Sequence, residues 1–249
     1  MKFKSGIKIR LYAVMLFLSY LLFTYYALGG WWHSSLGMAL ILFFSYLIWK
    51  KDYLKITGLK ISVQAVICSF ILALGLTVLF CFAMHYVAGK NGVVISLTGV
   101  FNYYHIFFYT LNEEIILGAI VIYLAVSKLK IKPILVSVLL ASMFSIIHFV
   151  FYQWIFLERG TIGLSTLITL FMVGFLRNNI IIRTGHIGYS WALHFSWMVI
   201  MFGLFHSHFE TDEKLLEFER FNLYLGSVEV LAVSCIAALL SLFLLKKKK

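Results

Sequence analysis

Two adjacent carboxylates, Glu113 and Glu114, stand inside an apolar run that continues Ile115-Ile116-Leu117-Gly118-Ala119-Ile120. Two later apolar segments each carry a histidine, His148 in Phe144-Ser145-Ile146-Ile147-His148 and His194 in Trp191-Ala192-Leu193-His194-Phe195-Ser196-Trp197-Met198. Carboxyls and imidazoles placed in such surroundings cost several kcal/mol, so they persist only where something uses or compensates them. These four residues are the candidate polar centre. A carboxylate and an imidazole sharing one water can deprotonate it for attack on a carbonyl, while a second imidazole stabilises the oxyanion or protonates the leaving amine. That is peptide hydrolysis without a covalent intermediate. Glu113, His148 and His194 could instead hold a divalent metal such as zinc with an open coordination position. Spacing alone leaves both mechanisms open and demands no cofactor.

The elements that must position these groups follow from composition. With 62% hydrophobic residues, 12% charged and a mean hydropathy of +0.97, the chain is no water-soluble globule, whose charged fraction would be about twice as high. Its apolar runs are continuous and of helical spanning length, unlike the short alternating segments of a transmembrane barrel. The fold class expected is therefore all-α: a polytopic single membrane domain over residues 1–249, with about eight transmembrane helices. The spans are expected at 11–28, a run ending at 49, then 61–87, 104–126, one starting at Pro133, then 162–176, 187–205 and 223–245. Residues 177–185 read as a turn and 206–222 as an acidic polar loop. Lys2, Lys4, Lys8 and Arg10 precede the first run, which lacks a small-residue cleavage site and reads as a retained span.

Lysine and arginine concentrate in alternate connections, seventeen on one side against Lys90, Arg159, Lys214 and Arg220 on the other. This asymmetry places both termini in the cytoplasm. The net charge of +11 lies at segment ends and forms no aromatic-interleaved patch, so the lipid bilayer, not nucleic acid, is the expected partner. Cys68, Cys81 and Cys235 lack paired spacing and read as packing residues. At a rise of ~1.5 Å per residue, the glutamates lie roughly 20 Å from the turn at Lys128, His148 roughly 24 Å from Lys132, and His194 roughly 17 Å from Arg183. Three spans of alternating direction thus bring their polar residues to one depth. That coincidence outweighs the blander account, in which the glutamates are structural and each histidine bonds a backbone carbonyl.

Glu113-Glu114-x-x-x-Gly118, Phe144-x-x-x-His148 and His194-x-x-x-Met198 resemble the three motifs of the CPBP intramembrane proteases, the CAAX-protease and bacteriocin-processing group. The usual forms are E-E-x-x-x-R, F-x-x-x-H and H-x-x-x-N. The turn Arg183-Thr184-Gly185 is similar to one common in the family, and a CPBP-like core is expected over 104–205. The resemblance implies that Glu113 activates a water with His148, that Glu114 supports the site and that His194 stabilises the oxyanion. Two positions depart from the pattern. Gly118 stands where arginine is usual, which leaves Glu114 without its expected partner. Met198 stands where asparagine is usual, and a thioether donates no hydrogen bond; Trp197, one position earlier, is a substitute donor by conjecture. The function implied is a prokaryotic-type intramembrane endopeptidase of the cell membrane, multi-pass, acting on a membrane-associated peptide or protein substrate. The alternative is a catalytically impaired relative that works by partner or peptide binding, as an immunity or scaffold protein. A proton-coupled transporter ranks third, because no repeat symmetry or broken helix pair is present.

Overall fold

Pro133 opens a helix where its missing N–H and fixed φ cost nothing, and Gly185, in the left-handed conformation (φ 73°), closes one by donating its N–H to Ile181 O at 2.8 Å. Between such stops the apolar runs form helices. The computed structural model describes residues 32–90, 100–151, 163–203 and 224–245. Its elements are α1 (His33–Trp49), a 3₁₀ turn (Lys50–Asp52), the short α2 (Tyr53–Ile56), α3 (Val63–Lys90), α4 (Val100–Glu113), α5 (Pro133–Phe151), α6 (Leu164–Thr184), α7 (Gly188–Met198) and α8 (Val228–Leu245). No strand occurs among the described residues.

Among the described residues four helices are long and apolar enough to cross a membrane: Val63–Lys90, Tyr103–Lys128, Leu164–Thr184 and Val228–Leu245. The apolar part of α5, Pro133–His148, is shorter. The span expected at 11–28, the connection around Arg159, the acidic loop at 206–222 and the lysine tail lie outside the described residues. One expected boundary is corrected. The sixth span was to stop at 176, with Arg177 in a turn, yet α6 runs on to Thr184 with Arg177, Asn178 and Asn179 all buried. The helix runs through the polar triplet because neighbouring helices accept from its asparagine amides. Asn178 Nδ2 donates to Ser137 O of α5 (3.1 Å) and Asn179 Nδ2 to Ser241 Oγ of α8 (2.8 Å).

Packing follows the same logic. In a hydrocarbon surrounding, apolar burial does not drive helices together, so close backbone approach and interhelical hydrogen bonds do. The buried stripe of α1 is Ser34, Gly37, Ile41 and Ser45, and that of α8 is Ser234, Ala238 and Ser241. Asn112 of α4 donates to Ser34 O (2.9 Å), and Ser196 of α7 donates to Ala73 O of α3 (2.8 Å). Helix α6 packs between α5 and α8, α7 against α3, and α1 against α4. Large apolar side chains face outward instead, among them Val63, Leu74 and Phe82 on α3, Leu139 and Ile146 on α5, and Val233 and Phe243 on α8. Such faces suit lipid, not water.

Helix α4 does not end at Glu113 as an ordinary helix. It continues in wide π-type turns over Glu114–Ile120 and, after one α turn, Tyr123–Lys128; α7 likewise passes into a π segment at Val199–Gly203. The irregular turns begin at Glu114 itself and directly after Met198, beside residues of chemical interest, where such bulges are frequently found.

Candidate active site

Consecutive residues on a helix point about 100° apart, so Glu113 and Glu114 serve different sides of α4. Glu114 is fully buried. Its Oε1 accepts a hydrogen bond from His194 Nδ1 at 3.0 Å and lies 3.6 Å from Arg177 Nη1. Glu113 faces an internal cavity, where its Oε1 accepts the Tyr109 hydroxyl at 2.9 Å and its Oε2 lies 3.5 Å from His194 Nε2. The imidazole of His194 is thus held between two carboxylates. Glu114 accepts from Nδ1–H, and Nε2 is presented to the cavity and to Glu113, a second carboxylate that suits an N–H there.

Phe144 organises the opposite wall. Its carbonyl accepts from His148 Nδ1 at 2.7 Å, which fixes the proton on that ring nitrogen. The Phe144 ring meets the His148 ring edge-on at 4.7 Å and the His194 ring at 6.3 Å. On its other side the Arg177 guanidinium stands 4.9 Å from the ring centroid. The aromatic face and the Glu114 carboxylate together confine a cation that is only 3% exposed.

The expectation that Glu114 lacks a partner is therefore corrected: the partner comes from another helix. A side chain at Gly118 would place its Cβ 2.7 Å from Ile181 Cδ1 and 3.7 Å from Glu114 Oε2. Gly118 does share the Glu114 face, but Ile181 of α6 occupies the notch that the glycine leaves. Arg177 is one turn before Ile181 on α6, so the contact that excludes a long side chain at 118 also delivers a guanidinium to Glu114.

Of the residues singled out above, Glu113, Phe144, His148, His194, Trp197 and Met198 all line one cavity of about 50 Å³, and Glu114 lies behind His194. One water needs ~10–15 Å³ by this measure, so the cavity takes a few waters and no peptide segment. Trp197 packs its ring on Phe80 (5.6 Å) and Tyr224 (5.2 Å). Two participants escaped the sequence reading, Tyr109 and Arg177. Tyr109 precedes Glu113 by one turn and was legible at that spacing; Arg177 was assigned to a turn because the apolar run stops at 176, eight residues before the helix does.

The set Glu113, His148 and His194 does not fit a zinc site. Among the described residues no group of three or more His, Cys, Asp or Glu stands close enough to hold a metal ion. No protein-family model, curated protein or solved structure matches this chain.

Proposed function

We propose that this protein is an intramembrane endopeptidase of the CPBP type that hydrolyses a peptide bond of a membrane-associated substrate with an activated water. The observation carrying the proposal is the convergence of Glu113, His148 and His194 on one water-sized cavity, with the His194 ring fixed from behind by Glu114 and Arg177. A water between Glu113 and the His148 imidazole loses its proton to Glu113 and adds to the scissile carbonyl. The resulting oxyanion accepts a hydrogen bond from an N–H at His194 Nε2, and Glu113 returns the proton to the leaving nitrogen as the C–N bond breaks.

Met198 favours a second reading. It lines the cavity at the position where the motif resemblance places an asparagine donor, and this suits a relative that binds a membrane peptide without cleaving it. Met198→Asn separates the two. For an enzyme with an incomplete oxyanion site, single-turnover cleavage in liposomes rises by up to about 10²-fold, the worth of one such donor elsewhere. For a binding protein, no cleavage emerges and peptide affinity is unchanged. A variant slower than wild type would show that the thioether belongs to a differently built site and would overturn the placement of the oxyanion at His194.

We place the chain in the cell membrane of a prokaryotic-type host as a multi-pass protein with both termini inside. Removing Arg177 from the connections leaves 17 − 1 = 16 basic residues against four, and the rule still points the same way. In intact cells an impermeant thiol reagent should label Glu213→Cys and spare Lys130→Cys, in a background with the native cysteines replaced. The reverse pattern would invert the topology.

A further inference from the structure

A second hollow lies at the N-terminal end of α7, where Ile187, Gly188 and Trp191 line it. It is an apolar groove of about 200 Å³, four times the volume of the site cavity, bounded by α3, α4 and α7 and by the loop that precedes α3. Leu59, Ile61, Phe70, Phe107, Leu111 and Trp191 form its walls. Trp191 gives the groove a stiff floor, with Phe70 and Phe107 edge-on to it at 5.3 and 5.2 Å. The groove opens sideways, since Phe70 is 51% exposed although it lines the wall. Its mouth is the loop from Gly58 to Ile61, pinned to the start of α7 by Ile187 N–H donating to Gly58 O at 3.1 Å. Gly58 is required there. Its φ is +71°, and a Cβ would fall 2.8 Å from Ile187 Cγ2.

The charge at that mouth is one-sided. Lys60 sits between the wall residues Leu59 and Ile61 and is exposed, as are Lys50, Lys51 and Lys55 before it, with Asp52 the sole acid between residues 50 and 62. No ion pair involving these lysines occurs among the described residues. We propose that the groove binds one acyl chain of an anionic phospholipid, whose headgroup phosphate is met by Lys60. A chain of methylenes suits the nearly all-apolar walls and the lateral opening. The phosphate suits a lysine cluster at the polar end of a spanning helix, which attracts anionic headgroups. This site is independent of the chemistry proposed for the Glu113 cavity.

The test uses the full chain in nanodiscs of equal parts phosphatidylglycerol and phosphatidylcholine, released gently into the mass spectrometer. Wild-type protein should retain one phosphatidylglycerol in preference to phosphatidylcholine. Lys60→Gln should lower that preference about fivefold, the worth of one lysine near an anionic surface. Ser69→Trp, which fills the groove, should abolish retention. Should that variant misfold, phosphatidylglycerol carrying a diazirine in its acyl chain answers on wild-type protein. Crosslinks should concentrate on α3 between Val66 and Phe70 and on α7 near Trp191. Equal retention of the two lipids, or crosslinks spread evenly over the outward faces of α3 and α8, would overturn the proposal. So would disulfide trapping of residues 11–28 against Phe70→Cys, which would make the chain's own first segment the occupant.

Discussion

Arg177→Met should destabilise the protein by about 3–5 kcal/mol, because it strands a fully buried carboxylate instead of merely deleting an interaction. Glu114 has no exposed surface, Arg177 has 3%, and the two stand 3.6 Å apart beneath the Phe144 ring. Neither water nor salt can screen what remains once the guanidinium is gone. Equilibrium unfolding in mild detergent measures the loss. The companion variant is Arg177→Met with Glu114→Gln, in which no uncompensated charge is left; it should recover most of the stability. If the single variant loses less than about 1 kcal/mol, the range of exposed pairs, then Arg177 does not neutralise Glu114 in the folded protein. The double variant also has a functional consequence. A neutral amide behind Nδ1 orients the His194 ring less firmly, so stability returns while cleavage does not.

Glu113→Gln should lower the rate of peptide cleavage by about 10²–10⁴-fold or more, the range that a positioned general base contributes, with unfolding near that of wild type. The substitution is nearly isosteric. The amide oxygen can still accept the Tyr109 hydroxyl that now lies 2.9 Å from Oε1, so the local geometry survives while the capacity to take a proton from water is lost. Cleavage by this variant at the wild-type rate would remove Glu113 as the base and with it the proposed mechanism. Tyr109→Phe is the graded control: the base remains but loses the hydroxyl that orients it, and a loss smaller than that of Glu113→Gln is expected.

The all-helical class of the described residues was legible along the chain for a physical reason. A backbone in hydrocarbon must satisfy its own hydrogen bonds, so spanning segments announce themselves as long apolar runs. The starts and stops at Pro133 and Gly185 depend only on local backbone preferences, and the depth at which Glu113, His148 and His194 meet follows from counting residues along straight rods. The candidate cavity was therefore within reach of the sequence. Its electrostatics were not. Nothing local to Gly118 shows that Ile181 fills the space in front of it, because that contact joins residues far apart in the chain. The same holds for Arg177, whose neighbours Asn178 and Asn179 make the segment look like a polar turn until α5 and α8 supply partners for their amides. Sequence by itself determined which helices form and which groups share a depth, since both are set by one-dimensional spacing. Only the tertiary structure decided which cation faces Glu114 and which way His194 is turned, because a buried charge takes its partner from whichever helix packs against it.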